Sequence, residues 1–280
     1  MSMRYKKIFC SFADSAMWRS LNRIKQQAES MHIYDMICIY NEHILEEEFK
    51  SYYKEKLVPS RGFGYWVWKP QVLLQTLEKM DNGDILHYSD AGCHLNKHGI
   101  KRLKEYFEIA NSSPTGILAF QSKEPIDKNL TKAVDLPEKH WTKGDILDYF
   151  KVRNNKNICE SEQIGAGILF IKKTPESISI LRKFLQTYYD DFSLADDTPS
   201  RSPNFEGFIE NRHDQSIFSI IAKLNGVTTI SSFEYWQPEY NFKQLKYYPI
   251  WAIRDKDYGN NITKKIKRWF KTIFLSNKTD

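Results

Sequence analysis

Four chemically different side chains stand next to one another in the segment RHDQS, which opens an apolar helical pattern. Arg212 supplies a cation, His213 an imidazole, and Asp214 and Gln215 a carboxylate and an amide. At the start of a helix, unpaired backbone N–H groups and the helix dipole also favour anions. The segment can therefore balance charge on a leaving diphosphate or on an oxocarbenium-like sugar. The alternative is a helix cap, formed by Asp214 or by Asn211.

A single carboxylate follows a buried strand pattern in the segment DILHYSDAG. Asp90 lies just past the predicted strand, close to Gly92, whose missing side chain lets another group approach the backbone. Ligands of α/β sheets bind at such strand ends. Asp90 is therefore a candidate ligand for a divalent cation that bridges a diphosphate, since hard cations prefer carboxylate oxygens. A type I turn is the alternative explanation.

Two glycine-containing segments can shape a ligand site. In QIGAG, Gly165 and Gly167 flank Ala166 on a predicted strand, which leaves room for a bulky ligand, although a bulge or tight packing explains the glycines equally well. In RGFGYWVWKP, glycines can bend the chain, rings can cover a base or a sugar, and a lysine beside Pro70 can meet phosphate. Core packing is the alternative for the rings. The residues concerned are Gly62, Gly64, Tyr65, Trp66, Trp68 and Lys69.

Hydrophobic periodicity predicts the strands and helices that must position these groups. Strands are expected over 5–12, 34–41, 84–92, 116–122 and 162–174. Helices are expected over 15–31, 41–57, 69–80, 99–111, 175–192 and 211–226, with a shorter one near 144–152. This alternation is typical of α/β proteins, in which helices cover a sheet with parallel strands.

Cysteine usage and hydropathy exclude several classes of protein. The four cysteines lie far apart and form no CxxC pair, which favours a reducing, cytosolic setting and argues against structural zinc. The N-terminal segment has no apolar run with a cleavage site, and no stretch of 18 apolar residues occurs. Neither secretion nor a membrane span is expected.

Positive charge is concentrated in residues 259–280, called the basic tail below. The tail contributes +5 of the formal net charge of +6, so the rest of the chain is near neutral. A nucleic-acid-binding protein usually spreads its basic residues over one face, so nucleic acid is not an expected partner. Apolar tail residues recur at helical spacing, the pattern of an amphipathic helix on an anionic membrane surface. A terminal helix packed on the body is the alternative.

Taken in order, the segments GYWVWKP, GDILHYSDAG, EQIGAGILFIKKT and RHDQSIFS resemble those of bacterial glycosyltransferases of lipopolysaccharide and capsular polysaccharide biosynthesis. These enzymes have the GT-A fold, and the resemblance runs from about Lys6 to about Glu239. It implies a Rossmann-like nucleotide-sugar-binding domain with a mixed central sheet over 1–258, followed by a C-terminal amphipathic helix in the basic tail.

The resemblance also implies roles for individual residues. Asp90 takes the metal and diphosphate position, His213 is a further metal ligand, and Asp214 and Gln215 lie under the anomeric carbon of the donor sugar as catalytic residues. The family has Asp-x-Asp where this chain has YSDAG, and a lone carboxylate binds Mn²⁺ or Mg²⁺ less tightly, so Lys69, Arg212 or His213 can supply positive charge to the diphosphate instead. Donor contacts are expected from Ser11, Phe12, Asp14, Tyr65, Trp66, Trp68, Lys69, Ser89, Asp90, Gly165, Ala166, Gly167 and Arg212.

The function that follows is hexose transfer, of galactose or glucose, from a UDP-sugar to a lipid-linked or oligosaccharide acceptor in surface polysaccharide or O-antigen synthesis. Retention of anomeric configuration is expected because Asp214 and Gln215 match the Asp-Gln element of retaining enzymes. The enzyme is expected in the cytoplasm, peripheral on the inner face of the cell membrane through the basic tail. A non-catalytic glycan- or nucleotide-binding module is the alternative.

Overall fold

Six strands form one mixed sheet in the computed structural model, which describes residues 5–58, 61–237 and 242–256. The described residues contain eight strands in all, which are in chain order β1 (Lys7–Phe12), β2 (Met36–Tyr40), β3 (Ile85–Ser89), β4 (His94–Leu95), β5 (Ile117–Gln121), β6 (Ile164–Lys172), β7 (Thr228–Ser231) and β8 (Ile250–Trp251). The order across the sheet is β2-β1-β3-β6-β5-β7, while β4 and β8 pair separately. β6 is antiparallel to both neighbours, and the other pairs of the large sheet are parallel. The predicted α/β fold with a mixed central sheet is confirmed.

Helices cover both faces of this sheet. They are α1 (Trp18–Ser30), α2 (Glu47–Tyr52), α3 (Gly62–Tyr65), α4 (Trp68–Glu78), α5 (Ile100–Ser112), α6 (Glu138–Trp141), α7 (Gly144–Tyr149), α8 (Lys156–Cys159), α9 (Pro175–Asp190) and α10 (Asp214–Leu224). Short 3₁₀ turns lie at Ser15–Met17, Glu42–Ile44, Lys97–Gly99, Phe192–Leu194 and Ser232–Glu234. Every helix of the described ranges is too short or too polar to cross a bilayer.

The apolar stripes of the long helices explain the layers. Leu73 of α4, Leu181 of α9 and Ile217 of α10 are buried in one cluster on one face of the sheet. Ile24 of α1 and Phe107 of α5 belong to a second cluster on the other face. Helical spacing of apolar residues therefore buries one side of each helix, and the sheet lies between two apolar layers.

β6 is irregular next to the end of β3. Its register with β5 shifts between the pair Leu118–Phe170 and the pair Phe120–Gly165. Such a bulge bends a strand and releases some of its backbone groups from the ladder. Here the carbonyl of Gly167 accepts a hydrogen bond of 2.8 Å from the backbone N–H of Asp90. The bulge proposed for QIGAG is thus present, and it supports the turn that carries Asp90.

A C-terminal strap (residues 250–256) returns across the same turn. The backbone N–H of Asp255 donates to the carbonyl of Gly92 at 2.9 Å, and its carboxylate lies 3.1 Å from an Arg23 guanidinium nitrogen and 3.0 Å from Nε2 of His94. Sequence patterns did not predict this strap, nor β4, β7 and β8. The basic tail and the predicted domain boundary at residue 258 lie outside the described residues.

Candidate active site

The segments YSDAG and RHDQS, far apart in sequence, meet through a buried lysine. Nζ of Lys69 lies 2.5 Å from Oδ2 of Asp214 and 3.3 Å from Oδ1 of Asp90. The Lys69 side chain is 1% exposed and that of Asp214 9%, whereas that of Asp90 is 36% exposed. The Tyr88 hydroxyl also donates to Oδ1 of Asp90 at 2.7 Å. Two carboxylates therefore share one ammonium, and the Asp90 side chain alone reaches the surface.

The pKa values of Lys69 and Asp214 are set by their burial and by the ammonium that the two carboxylates share. Burial opposes the Lys69 ammonium, but the carboxylates of Asp214 and Asp90 outweigh it and raise the pKa of Lys69. Burial raises the pKa of Asp214, and the nearby charge of Asp90 adds to the effect, although Lys69 opposes it. By formal charge, two carboxylates and one ammonium leave the group with an excess of one negative charge. Lys69 thus lies beneath the site and is not free for phosphate, contrary to the sequence-based expectation.

A left-handed turn introduces Lys69 at the start of α4. Residues 62–66 all have positive φ, including Phe63 at 51°, Tyr65 at 51° and Trp66 at 61°. For residues with a side chain this conformation costs roughly 1–2 kcal/mol each. The Trp68 indole N–H offsets part of the cost by donating to the first carbonyl of the turn at 3.0 Å. Backbone strain of this size is found mainly where it positions functional groups.

His213 holds this turn in place rather than contributing charge. Its Nδ1 lies 2.6 Å from the Ala195 carbonyl, which can only accept, so Nδ1 carries the proton and Nε2 a lone pair. Burial lowers the pKa of His213, so the ring is neutral at pH 7. The rings of Tyr65 and Trp66 pack against it with centroids 5.3 and 5.6 Å away. The Tyr65 hydroxyl donates to Asp197 at 2.8 Å.

A second group of residues, positively charged, borders the site. The Arg212 guanidinium lies 5.3 Å from the centroid of the Trp141 ring. Burial lowers the pKa of Arg212 and the charge of Arg254 adds to the effect, whereas the Glu210 carboxylate, 3.1 Å from the guanidinium, opposes it. The strap places Arg254 over the Asp90 turn: its Cα would lie 3.5 Å from a Cβ built on Gly92. Guanidinium groups at the border of a site are suited to binding an anion such as a diphosphate.

Several residues expected to contact a donor are buried beneath this surface. Ser11 donates to the Ser89 carbonyl at 2.8 Å, and the Phe12 ring stacks on the Trp68 ring at 4.0 Å. All four are at most 4% exposed, so they support the site from below instead of lining it. Asp14, partly exposed, caps the turn that begins the first helical segment.

The glycines of QIGAG make room for neighbouring protein groups. A Cβ on Gly165 would lie 2.9 Å from the Tyr235 hydroxyl, and one on Gly167 would lie 2.9 Å from Oδ2 of Asp90. Ala166 points into the core. Tight packing, the alternative noted above, therefore accounts for both glycines.

Capping does not account for RHDQS: His213 precedes α10 without a side-chain cap, and Asp214 pairs with Lys69 instead.

The donor set does not fit a metal held by the protein. The described residues contain no group of three or more His, Cys, Asp or Glu side chains arranged to bind an ion. Oδ1 of Asp90 already accepts from Tyr88 and faces the Lys69 ammonium, which occupies the place of a cation between Asp90 and Asp214. Nε2 of His213 has no hydrogen-bond partner among the described residues and lies 3.8 Å from Oδ1 of Asp197, so these two side chains alone do not make up a set of three ligands. We therefore assign no step of the chemistry to Mn²⁺ or Mg²⁺.

The remaining catalytic candidate, Gln215, is partly exposed on the first turn of α10. Its Nε2 donates to Oε1 of Gln163 at 2.7 Å. Sequence reasoning did not identify Gln163, Arg254 or Tyr235. The position of Gln163 could have marked it as a site residue, because it directly precedes the glycine-interrupted strand. Nothing in the sequence marks Arg254 as a site residue, since it follows a long stretch without a motif.

Comparison with known proteins yields structural neighbours only. No protein-family model matches the chain, and no curated protein matches it. A solved glycosyltransferase involved in glycosylation of the major capsid of PBCV-1 is 9% identical, with a TM-score of 0.46 over 90% of this chain and 96% of that one. Mouse xyloside xylosyltransferase 1 is 9% identical, with a TM-score of 0.46 over 89% and 97%. The galactosyltransferase LgtC is 10% identical, with a TM-score of 0.41 over 87% and 85%.

Proposed function

We propose that this chain is a glycosyltransferase that uses a nucleotide-sugar donor. The observation that carries the proposal is the presence of both signs of charge at the candidate site. Asp90 and Asp214 share a single ammonium there, and Arg212 and Arg254 border the same site.

Glycosyl transfer develops both kinds of charge. The sugar gains positive, oxocarbenium-like character while the leaving diphosphate gains negative charge. Preorganised groups of opposite sign at these two places lower the barrier, because they stabilise charge that appears only in the transition state. In this proposal Arg212 and Arg254 bind the diphosphate, and Asp90 and Gln215 face the sugar.

The finer features of the function rest on the sequence motifs. We propose a UDP-sugar donor carrying galactose or glucose, and a lipid-linked or oligosaccharide acceptor of surface polysaccharide or O-antigen synthesis. Retention is favoured by Gln215, because an inverting enzyme requires a base that takes a proton from the acceptor, and an uncharged amide is a poor base. The basic tail would hold the enzyme on the inner face of the cell membrane, where lipid-linked acceptors are found.

The test is a screen for nucleotide release. Purified protein is incubated with UDP-, GDP- and CMP-sugars, and release of nucleotide is measured with and without acceptor glycans. We expect release from at least one UDP-hexose, and its loss in Asp90→Asn. Asp81→Asn is the matched control, because Asp81 is an exposed carboxylate before the opposite end of β3.

A non-catalytic binding module is the second candidate, because Lys69 neutralises part of the negative charge expected of a catalytic site. It predicts saturable binding of a nucleotide-sugar by calorimetry with no release of nucleotide from any donor. That combination of results would contradict the enzymatic proposal.

A further inference from the structure

A buried carboxylate lies behind Gln215 at the start of α6. The side chain of Glu138 is 0% exposed and accepts hydrogen bonds from Thr142 Oγ1 at 2.6 Å, Gln163 Nε2 at 3.0 Å and Ser219 Oγ at 2.6 Å. Nζ of Lys223 pairs with it at 2.5 Å. A carboxylate paired with an ammonium in this way can only accept hydrogen bonds.

That restriction determines the orientation of the Gln163 amide. Its nitrogen must face Glu138, and it also lies 3.1 Å from the Trp141 carbonyl, another group that only accepts. The amide oxygen of Gln163 is therefore directed at Gln215. An oxygen only accepts, so Gln215 must offer its nitrogen, which it does at 2.7 Å. The two ends of an amide are thus distinguished by the hydrogen-bond network.

The short helix α6 also holds the backbone on either side of Gln215. The Ser216 hydroxyl donates to the Trp141 carbonyl at 2.6 Å, and the backbone N–H of Arg212 donates to that hydroxyl at 2.9 Å. α6 therefore supports the start of α10 in two ways: its Trp141 carbonyl is joined to the Arg212 backbone through the Ser216 hydroxyl, and its Glu138 side chain binds the amide of Gln163. These contacts restrict where the Gln215 side chain can lie.

We propose that Glu138 and Gln163 are positioning residues that make Gln215 present its amide oxygen, and not its nitrogen, to the sugar. This inference rests on the proposed function. An amide oxygen carries partial negative charge and can face the positive charge that develops at the anomeric carbon, or accept from a sugar hydroxyl. The nitrogen, with partial positive charge, would oppose that charge. The polarity of the site therefore originates in the buried carboxylate, two side chains away.

The first test replaces Gln163. In Gln163→Met the chain length is kept but Gln215 loses its acceptor, so its amide can rotate; we expect kcat to fall roughly 10- to 100-fold with donor KM changed less than about twofold. Gln71→Met is the matched control. It also removes a buried glutamine whose nitrogen donates to a second glutamine, Gln75, at 3.1 Å, and we expect unchanged kcat.

Gln163→Glu adds a readout that a purely structural role would not produce. With a proton, the new carboxyl can donate to Glu138 and accept from Gln215, as the native amide does. Without the proton, two carboxylates face each other and the arrangement fails. We expect kcat of this variant to recover as pH falls, whereas Gln163→Met stays low throughout. Equal kcat for the wild type and a folded Gln163→Met, or a Gln163→Glu pH profile like that of the wild type, overturns the proposal.

A measurement without turnover separates this inference from the proposed function. The side-chain amide of Gln215 gives an NMR signal that can be assigned by its absence in Gln215→Glu. In the wild type the N–H bonded to Gln163 should exchange slowly with solvent, and in Gln163→Met quickly. Identical exchange in both proteins overturns the positioning role. Slow exchange in the wild type with no turnover of any donor overturns the proposed function and leaves the geometry established.

Discussion

The buried imidazole of His87 should make the protein sensitive to acid well above the range in which carboxylates titrate. His87 lies in β3, two residues before Ser89, and is 0% exposed. Its Nδ1 lies 2.7 Å from the Tyr34 hydroxyl, its Nε2 lies 2.9 Å from the Ser89 hydroxyl, and its ring stacks on Phe170 at 4.3 Å. Burial lowers the pKa of His87 to about 3.

The magnitude follows from the difference between the folded and unfolded chains. The unfolded chain binds a proton on this histidine near pH 6.5, whereas the folded protein does so only near pH 3. Stability from this group is therefore present above pH 6.5 and is lost as pH falls toward 3. Each pH unit in that window costs about 1.4 kcal/mol, so about 2 kcal/mol of the free energy of unfolding disappears between pH 7 and pH 5.

Urea unfolding followed by tryptophan fluorescence measures this loss. The free energy of unfolding is determined at several pH values from 7 to 5 for the wild type, for His87→Gln and for His43→Gln, in which an exposed histidine is replaced. We expect His87→Gln to be less stable at pH 7, because it loses the ring stack, but to lose about 2 kcal/mol less on acidification. His43→Gln should follow the wild type. A gap between the wild type and His87→Gln that stays constant with pH would refute the reasoning.

Three further outcomes are expected. Lys69→Met should abolish turnover and lower the free energy of unfolding by about 3–5 kcal/mol, because two carboxylates lose their shared cation. Adding Asp214→Asn to this variant should restore part of the lost stability. Urea titrations of the single and the double variant measure both effects. Arg254→Ala should raise donor KM in the nucleotide-release assay more than the neighbouring control Lys256→Ala, and equal effects would argue against a role of Arg254 in donor binding. Removing residues 259–280 should abolish sedimentation with phosphatidylserine vesicles but keep turnover on a soluble acceptor, whereas unchanged sedimentation would exclude the tail as anchor.

The sequence predicts most of the sheet because apolar spacing reports directly on burial. β1, β3 and β6 lie within the predicted ranges, and the long helices α1, α5, α9 and α10 follow from their apolar stripes. β4 and β8 were missed because two-residue strands have no periodicity. The sequence predicts that glycines bend the chain in residues 62–66, but nothing local signals that Phe63, Tyr65 and Trp66 adopt positive φ.

The candidate site could be predicted only in part. The meeting of Asp90 with Asp214 agrees with their expected places at a strand end and a helix start. The burial of Lys69 could not be predicted, because the start of a helix normally faces solvent and here a left-handed turn buries it. Glu138 lies in a polar stretch where an exposed position is the ordinary expectation, and only the tertiary structure shows that Lys223 accompanies it into the interior.

The strap also dictates when, during synthesis, the site can be completed. Arg254 follows Asp90 by 164 residues, and Asp255 must bind Arg23 and Gly92 before Arg254 lies over the Asp90 turn. At roughly 5–20 residues per second, the ribosome needs about 10 to 30 s to cover that distance. During this interval the sheet can form around β1 and β3 while Arg254 is still lacking. If the proposed function holds, a nascent chain is therefore unable to bind a diphosphate at both arginines until the strap has left the ribosome.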